Sequence, residues 1–373
     1  MTESMSPIKV PFVDLLLQHQ RLLPELQDAF LKVIDQSDFI LGAAVERFEQ
    51  EFAAYLKVQH VIGVATGLDA LRLSLVALGV GEGDEVILPA NTFIATALAV
   101  SAINARPVLV DCRSDTYNIS AEQLEGAISP RTKAIIPVHL MGQPADMPTI
   151  TAIARRHRLV IVEDACQAHG AEYGGQACGT FGQAGCFSFY PAKNLGCFGD
   201  GGAIVTGQAE LAEHLRQLRN YGQSTKNHHK IAGTNSRLDT VQAAILIVKL
   251  KYLSPWNEQR RRHAASYRRL LEGVGDLTFQ QSLQHTTPVY HLFAIETEHR
   301  DALRDFLFER GVHTGIHYPT PIHLQPAYAY LGYKSGDFPV AERLATRSLS
   351  LPMYPELNDD QIEYVVRCVR EFF

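Results

Sequence analysis

Lys193 is the residue whose surroundings most strongly suggest chemistry. It stands between an aromatic segment, CFSFY (186–190), and a glycine-rich loop, GCFGDGG (196–202). Lysines are ordinarily exposed and solvated, so a plain surface lysine is the competing interpretation. A lysine between a strand and a flexible loop can instead present its amine to a carbonyl compound and form an imine with it.

Asp164 supplies a second candidate group. It follows the apolar run in RLVIVEDAC (158–166), and ligands of open α/β sheets bind outside the carboxyl ends of the strands. A turn or helix-capping aspartate is the alternative. One loop and one strand separate Asp164 from Lys193, so both side chains can reach one pocket. A pyridine cofactor needs such a pair, because the lysine binds its aldehyde and the carboxylate faces its ring nitrogen.

A phosphate site is the third candidate feature. In TGLDAL (66–71) a strand ends, Gly67 turns the chain, and a helix begins. Free backbone N–H groups and the helix dipole favour a phosphate at such a point. An ordinary strand-to-helix turn has the same pattern, so the argument depends on its coincidence with Lys193 and Asp164. Ser188, on the strand before Lys193, can donate a hydroxyl to the same phosphate.

The elements that must position these residues alternate between strand and helix from residue 60 to about residue 206. Apolar runs indicate parallel strands that are buried on both faces, and the alternation predicts an α/β doubly wound layer. The predicted strands are 60–66, 84–90, 106–112, 133–140, 158–166, 186–190 and 202–206, and the helices between them are 68–79, 93–104, 120–128 and 147–157.

The pattern changes after residue 210, where long helices and a smaller α+β unit are predicted. The predicted elements are helices 209–222, 239–253 and 256–274, a strand at 289–296, a helix at 300–311, a proline-rich loop at 318–326 and a helix from about 358. We therefore predict a large domain over 1–250, whose N-terminal segment packs on the small domain, and a small C-terminal domain over 251–373.

Composition excludes several classes of protein. The chain has 373 residues and a formal charge of −6, which argues against a nucleic-acid-binding surface. No apolar run is long enough for a membrane span, and MTESMSPIKV lacks the features of a signal peptide, so we expect a cytoplasmic protein with free thiols. No metal site is predicted, because no carboxylate or cysteine stands at ligand spacing from His228, His229, His317 and His323.

At this point the chain resembles the DegT/DnrJ/EryC1/StrS sugar aminotransferases, which have the aspartate-aminotransferase fold. The resemblance covers almost the whole chain. Its motifs are VPFVDL (10–15), FILGAAVERFEQEFAAYL (39–56), TGLDAL, PANTFIAT (89–96), VHLMGQPADM (138–147), VEDACQAHGA (162–171), SFYPAKNLGCFGDGGA (188–203), NSRLDTVQAA (235–244), GIHYPTPIHLQPAY (315–328) and LSLPMYPEL (349–357).

The resemblance implies fold type I, pyridoxal 5′-phosphate as cofactor and a role for each matching residue. Lys193 matches the lysine that binds the cofactor covalently, and Asp164 matches the partner of the ring nitrogen. The other matches are Gln167 beside the ring hydroxyl, Phe93 over the ring face, a phosphate site of Thr66, Gly67, Leu68 and Ser188, and Asn235, which reaches the phosphate of the neighbouring subunit.

The resemblance also implies the reaction and its partners. An amino group passes from glutamate to a nucleotide-linked keto sugar in a homodimer with shared sites, and freed Lys193 acts as the general base. The loop after Lys193, NLGCFGDGG (194–202), resembles members that act at carbon 3 of a dTDP-3-keto-6-deoxyhexose. The positions that match the substrate site are Tyr190, Lys226, His317 and Tyr318.

Several alternatives remain open at the level of sequence. The acceptor can be a UDP-linked 3-keto sugar acid or a 4-keto sugar. Intact Lys193 argues against a related dehydratase, in which histidine replaces the lysine, and the complete set of motifs argues against a regulator without turnover. Cys166 stands near Asp164, where a thiol suggests a lyase or desulfurase; a cysteine that packs as a small hydrophobe is the simpler interpretation.

Overall fold

The computed structural model describes residues 9–373, so the N-terminal stretch that the sequence analysis judged for a signal peptide lies largely outside the described residues. The strands are β1 His60–Val64, β2 Glu85–Pro89, β3 Arg106–Val110, β4 Thr132–Ile135, β5 Val160–Asp164, β6 Glu172–Tyr173, β7 Gln176–Ala177, β8 Ala184–Ser188, β9 Gly202–Thr206, β10 Gln223–Thr225, β11 His228–His229, β12 Thr278–Phe279, β13 Thr286–Thr287, β14 Phe293–Glu296 and β15 Ser348–Leu351.

Twelve α-helices accompany these strands within residues 9–373. They are α1 Leu15–Gln36, α2 Ala43–Leu56, α3 Gly67–Ala77, α4 Ile94–Ser101, α5 Ala121–Ala127, α6 Met147–His157, α7 Ala209–Leu218, α8 Thr240–Leu250, α9 Leu253–Leu271, α10 Arg300–Glu309, α11 Pro339–Arg347 and α12 Asp359–Phe372. Short 3₁₀ helices span Leu140–Gly142, Ile322–Leu324 and Pro326–Leu331. No helix among the described residues is long and apolar enough to cross a bilayer.

A seven-stranded sheet forms the centre of the larger part. Its order is β1-β9-β8-β5-β4-β2-β3, and only β9 runs antiparallel to its two neighbours. Every residue of β2 and β9 is buried, which is why these strands read as continuous apolar runs. The predicted α/β class with a mostly parallel central sheet is therefore confirmed.

The smaller C-terminal part is an α+β unit. Its three-stranded sheet has the order β12-β14-β15, and α9, α10 and α12 contribute apolar residues to the same core. Val10 belongs to this core as well: it is fully buried, its N–H donates to Gly311 at 2.9 Å, and its carbonyl accepts from His313 at 3.0 Å. The start of the described chain thus packs on the small unit. The boundary at residue 250 stays a prediction, because α9 contributes to the cores of both parts.

Several predicted elements differ from the structure in length, among them the strand predicted over 133–140, which ends at Ile135. The helix predicted over 209–222 ends at Leu218, because Tyr221 and Gly222 have positive φ, which interrupts a right-handed helix. The strand predicted over 289–296 begins only at Phe293. The helices α1, α2 and α11 were not predicted, although the sequences of α1 and α2 have the amphipathic pattern of a helix.

Candidate active site

Lys193 lies in a tight turn at the end of the central sheet. The turn follows β8, and the Lys193 N–H donates to the carbonyl of Tyr190 at 2.9 Å. The side chain of Lys193 is half-buried. Burial lowers the pKa of its amine, although the nearby Cys166 and Asp164 act to raise it. Among the described residues no carboxylate forms an ion pair with Lys193, so the amine is displaced towards its neutral, nucleophilic form.

Asp164 is the last residue of β5, and its carboxylate is oriented by two donors. The hydroxyl of Thr96 donates to Oδ2 at 2.8 Å, and the N–H of Cys166 donates to Oδ1 at 3.2 Å. The side chain of Thr96 also contacts that of Thr92 at 2.9 Å. A buried carboxylate with such donors is held in one orientation, which is the requirement for binding a protonated ring nitrogen.

The N-terminus of α3 lies against β8. The Thr66 hydroxyl caps the helix by accepting from the Asp69 N–H at 3.0 Å, whereas the first N–H groups of a helix, here those of Gly67 and Leu68, have no intrahelical partner. A Cβ built on Gly67 would stand 2.7 Å from both the Cys166 sulfur and the Ser188 Cβ. Glycine at position 67 therefore lets the N-terminus of α3 lie directly against Ser188, whose hydroxyl accepts from the Tyr190 N–H at 3.3 Å.

Phe93, Tyr318 and Gln167 form a wall opposite the sheet end. The rings of Phe93 and Tyr318 lie 5.3 Å apart, and Phe93 is half-exposed. The Gln167 amide donates to the Tyr318 hydroxyl at 3.0 Å, and its oxygen accepts from the Met141 N–H at 2.6 Å. Burial raises the pKa of Tyr318, so its hydroxyl stays protonated and able to donate to a ligand.

His317 completes this wall as a neutral imidazole. Its Nδ1 lies 3.0 Å from the Ser350 hydroxyl, and its ring stacks on Phe12 at 5.6 Å. Burial, with a smaller effect of Lys193, lowers the pKa of His317 to about 4. An uncharged imidazole can donate or accept a hydrogen bond at neutral pH without repelling the amine of Lys193.

A buried polar network lies behind Lys193 and was not predicted from the sequence. The Asn194 amide donates to Asn257 at 2.9 Å and to the carbonyl of Val289 at 3.0 Å. Its oxygen contacts His291 Nδ1 at 3.2 Å, and Asn257 donates to the His169 carbonyl at 2.7 Å. These contacts fix the residue next to Lys193. Asn257 and His291 stand far along the chain, so no local pattern could have indicated them.

Two further residues escaped the sequence analysis for different reasons. Thr96 lies in the quoted motif PANTFIAT, and a hydroxyl at that place could have been considered as a partner for Asp164. Met141 acts through its backbone N–H, which no side-chain pattern can indicate. The Cys166 thiol is kept protonated, because burial and the charge of Asp164 raise its pKa; a reactive thiolate is therefore not favoured at this place.

Three predicted residues are not brought into this cluster. Asn235 is exposed and donates to the Tyr221 hydroxyl at 2.8 Å. Lys226 is exposed at the tip of the β10–β11 hairpin. Tyr190 follows β8 but is 57% exposed. The roles of all these residues stay predictions, and an exposed Asn235 leaves its side chain available to a second subunit.

No group of three or more His, Cys, Asp or Glu that could hold a metal ion occurs among residues 9–373. The cluster instead offers an amine, a carboxylate, a helix N-terminus and an aromatic face, which together can bind a phosphorylated aromatic aldehyde.

Comparison with known proteins gives a family match. A model of the DegT/DnrJ/EryC1/StrS aminotransferase family matches residues 21–370. The chain is 49% identical to the dTDP-3-amino-3,4,6-trideoxy-alpha-D-glucose transaminase of Streptomyces venezuelae, over 98% of this chain and 96% of that protein. It is also 49% identical to a pleiotropic regulatory protein of Geobacillus stearothermophilus, over 98% and 99% of the two chains.

A third relative carries a different nucleotide in its name. The UDP-N-acetyl-3-dehydro-alpha-D-glucosamine 3-aminotransferase of Acidithiobacillus ferrooxidans is 46% identical, over 97% of both chains. Among solved structures, S. venezuelae DesV in complex with a ketimine intermediate has a TM-score of 0.96 at 49% identity, over 98% of this chain and 99% of that one. Bacillus subtilis NtdA with bound cofactor PMP has a TM-score of 0.90 at 33% identity, over 100% and 86%.

Proposed function

Because the chain belongs to the DegT/DnrJ/EryC1/StrS aminotransferase family, we propose that it transfers an amino group to carbon 3 of a nucleotide-linked keto sugar, with pyridoxal 5′-phosphate as cofactor. The observation that carries the proposal is the convergence of Lys193, Asp164 and the α3 N-terminus at one end of the sheet. The finer assignment of the acceptor is a dTDP-3-keto-6-deoxyhexose, with glutamate as the donor.

The residues present fit this cofactor. Gly67 lets the N-terminus of α3 lie next to Ser188, since any Cβ there would clash with Ser188 and Cys166, and the free N–H groups of that helix end suit a phosphate. Asp164 is available to a ring nitrogen, and Lys193 to an aldehyde. Thr66, Leu68, Phe93 and Gln167 complete the proposed binding residues. When bound, the cofactor supplies an electron-accepting ring and a carbon that carries the amino group from donor to acceptor.

Lys193 is the proposed acid and base. Burial displaces its amine towards the neutral form, and a neutral amine accepts the proton that leaves the donor α-carbon. The same nitrogen returns a proton to the sugar carbon that receives the amino group. Asp164, oriented by Thr96 and Cys166, supplies the negative charge that favours electron withdrawal from the reacting carbon.

Carbon 3 is supported by the names of the relatives. The S. venezuelae and A. ferrooxidans proteins are both named for amination at carbon 3, although one name carries dTDP and the other UDP. The loop NLGCFGDGG after Lys193 resembles the same group. We propose that Tyr190, Lys226, His317 and Tyr318 contact the nucleotide sugar. His317 and Tyr318 offer uncharged hydrogen-bonding groups, and Lys226 offers an ammonium that suits a diphosphate.

The proposed assembly is a homodimer in which each Asn235 serves the partner's phosphate site. Its exposure and the absence of a contact with its own Gly67 or Ser188 among the described residues support this arrangement. A cytoplasmic location stays a prediction from the sequence.

A substrate comparison tests the acceptor. dTDP-linked 3-keto and 4-keto 6-deoxyhexoses and a UDP-linked 3-keto sugar are offered separately with glutamate, and the aminated products are identified by mass and NMR. The dTDP-3-keto sugar is expected to react with the highest kcat/KM. Turnover of the 4-keto sugar as efficient as that of the 3-keto sugar would reject carbon 3.

A UDP-linked 3-keto sugar is the second candidate acceptor, and the A. ferrooxidans relative favours it. The same experiment decides between the two nucleotides, because only the base and the sugar substituents differ. Exclusive turnover of the UDP compound would replace dTDP in the proposal and leave the aminotransferase activity intact.

Lys193 has its own test. Borohydride reduction of the cofactor-loaded protein, followed by peptide mapping, is expected to fix the cofactor to the peptide that contains Lys193. Lys193→Ala should lower kcat by about 10²–10⁴-fold, the usual contribution of a general base. Lys251→Ala, at an exposed lysine paired with Glu25, is the matched control and should retain activity.

A further inference from the structure

Lys249 is a buried lysine outside the candidate active site. It lies near the end of α8, is 1% exposed, and forms no ion pair with a carboxylate among residues 9–373. A buried cation without such a partner is costly, and burial lowers the pKa of Lys249 to about 8. If Lys249 only filled space in the core, an apolar residue at this position would give a more stable protein. The contacts of its ammonium therefore need an explanation.

The ammonium binds the backbone of the turn that carries Lys193. Lys249 Nζ donates to the carbonyl of Gly196 at 2.6 Å. His19 Nε2 lies 3.5 Å from the same nitrogen, and the Phe198 ring lies 5.8 Å away. Burial, with a smaller effect of the ammonium, lowers the pKa of His19 to about 4, so its imidazole is neutral and its Nε2 can accept from Lys249.

Gly196 is the place where this turn closes on itself. A Cβ on Gly196 would stand 2.3 Å from the Pro191 carbonyl oxygen and 2.8 Å from that of Tyr190. In the sequence, Lys193 lies between Pro191 and Gly196, and its own N–H donates to the carbonyl of Tyr190. A shift of the Gly196 carbonyl therefore moves the backbone on which the reactive amine stands.

The turn has two anchors of different kinds. Asn194 is fixed by the neutral network with Asn257 and His291, which approaches from the small unit. Gly196 is fixed by the charge-assisted bond from Lys249, and such bonds are about twice as strong as neutral ones. Without Lys249 the Gly196 carbonyl would lose this bond, whereas the Phe198 N–H at that end of the turn would still donate to Gln242 at 2.7 Å.

From this geometry we infer that Lys249 is a positioning residue: its ammonium, bound to the Gly196 carbonyl, holds Lys193 in its reactive place. The inference rests on the proposed role of Lys193. Lys249 is buried and is not among the residues proposed to contact substrate or cofactor, so its loss should act on the chemical step more than on substrate binding. A displacement of about 1 Å at a reacting group can cost about a hundredfold in rate.

Three variants test the inference. Lys249→Met keeps the length of the side chain without a donor, and Lys249→Gln keeps a donor without the charge. Lys251→Met is the matched control, because Lys251 lies two positions further on and is exposed. The readouts are kcat and KM, and hydrogen exchange followed by mass spectrometry of the peptides over 190–202 in the cofactor-loaded protein.

Lys249→Met is expected to lower kcat by about 10- to 100-fold with KM changed less than about threefold, and to speed exchange in 190–202 by about tenfold or more. Lys249→Gln should recover part of both effects, and it carries the test if the methionine variant does not fold. Lys251→Met should match the wild type.

Two results would overturn the inference: unchanged exchange in 190–202 in both Lys249 variants, or equally faster exchange throughout the chain with a parallel rise in KM. The first denies that the bond holds the turn, and the second gives Lys249 a general structural role. Failure of this inference can be distinguished from failure of the proposed function. If the proposed function is wrong, the wild type and Lys251→Met will both lack transaminase activity, whereas hydrogen exchange will still show whether Lys249 holds the turn.

Discussion

At the scale of single residues, the site depends on groups whose charge is set by burial. Lys193 is displaced towards its neutral form, His317 is an uncharged imidazole, and the Tyr318 hydroxyl stays protonated. Each can therefore take part in a hydrogen bond at neutral pH without a carboxylate partner. Asp164 is the buried carboxylate of the site, and hydrogen bonds from Thr96 and from the Cys166 N–H set its orientation.

Asp164→Asn should lower kcat by about 10²–10³-fold, the loss seen when one oriented electrostatic partner is removed, because a neutral amide cannot hold a protonated ring nitrogen. Thr96→Val, which removes the 2.8 Å hydrogen bond to Oδ2, should have a smaller effect of about tenfold. Thr96→Ser retains the hydroxyl and is the control. Steady-state kinetics measure all three, and a fully active Asp164→Asn would remove Asp164 from the site.

At the scale of elements, the N-terminus of α3 is the feature that a small change should damage. Gly67→Ala introduces a Cβ 2.7 Å from Cys166 and Ser188, and such overpacking costs about 1–3 kcal/mol. Because the clash pushes the N-terminus of α3 away from Ser188, with which it forms the proposed phosphate site, we expect cofactor affinity to fall by about 5- to 150-fold. Equilibrium titration of the cofactor-free protein with cofactor measures this.

The matched control for Gly67 is Gly81→Ala, where an added Cβ meets nothing within 4 Å. It should bind the cofactor as tightly as the wild type does. An unchanged affinity in Gly67→Ala, with its thermal stability also unchanged, would mean that the α3 N-terminus does not hold the phosphate.

The same elements show why the sequence predicted much of this site. Apolar strands of a parallel sheet end at one edge, so Asp164 after β5 and the Gly67 turn after β1 could be assigned to one pocket from local patterns. The pairing of Asn194 with Asn257 and His291, and that of Gly196 with Lys249, could not, because they join segments far apart in the chain through single hydrogen bonds. The periodicity of apolar residues indicates which positions are buried, but it does not indicate which buried polar groups contact each other.

At the scale of the whole molecule, buried imidazoles make acid stability predictable. Burial lowers the pKa of His19 and His317 to about 4 and that of His169 to about 3, and His291 lies well below its usual value. The unfolded chain binds protons at these residues from about pH 6.5 downward, whereas the folded chain does not. The stability that these four imidazoles contribute should therefore be fully present above pH 6.5 and decline as the pH falls towards 4.

Urea unfolding at intervals between pH 7.5 and 4.5 measures this decline. His169→Phe should reduce the slope, because it removes one imidazole whose pKa is lowered in the folded protein. The fold should accept the phenyl ring, since the ring of His169 already packs on Phe187 and Phe189. A flat profile between pH 6.5 and 4.5 would contradict the assignment of these imidazoles as neutral.

The second whole-molecule prediction concerns shared sites. We expect Lys193→Ala and Asn235→Ala to be impaired separately and to recover activity when their subunits are mixed. In a hybrid dimer one of the two sites receives an intact Lys193 and an intact Asn235. Random exchange of equal amounts should therefore restore about a quarter of the wild-type activity, as two-fold symmetry requires.

The control for subunit exchange is a mixture of Lys193→Ala with Asp164→Asn, two variants of the same predicted half-site. In their hybrid each of the two sites lacks one of these groups, so this mixture should stay inactive even though its subunits exchange. No recovery in the Asn235 mixture, in samples where hybrid dimers have formed, would place Asn235 in the site of its own subunit.

Val10, paired with Gly311 and His313 in the core of the small unit, has a consequence for biosynthesis. A ribosome adds about 5–20 residues per second, so Val10 is made some tens of seconds before its partners emerge. Throughout that interval the amino-terminal segment has no native place to bind. Closure of the small unit around Val10 therefore waits for residues near 313, and the nascent chain must keep that apolar segment from aggregating until they have been synthesised.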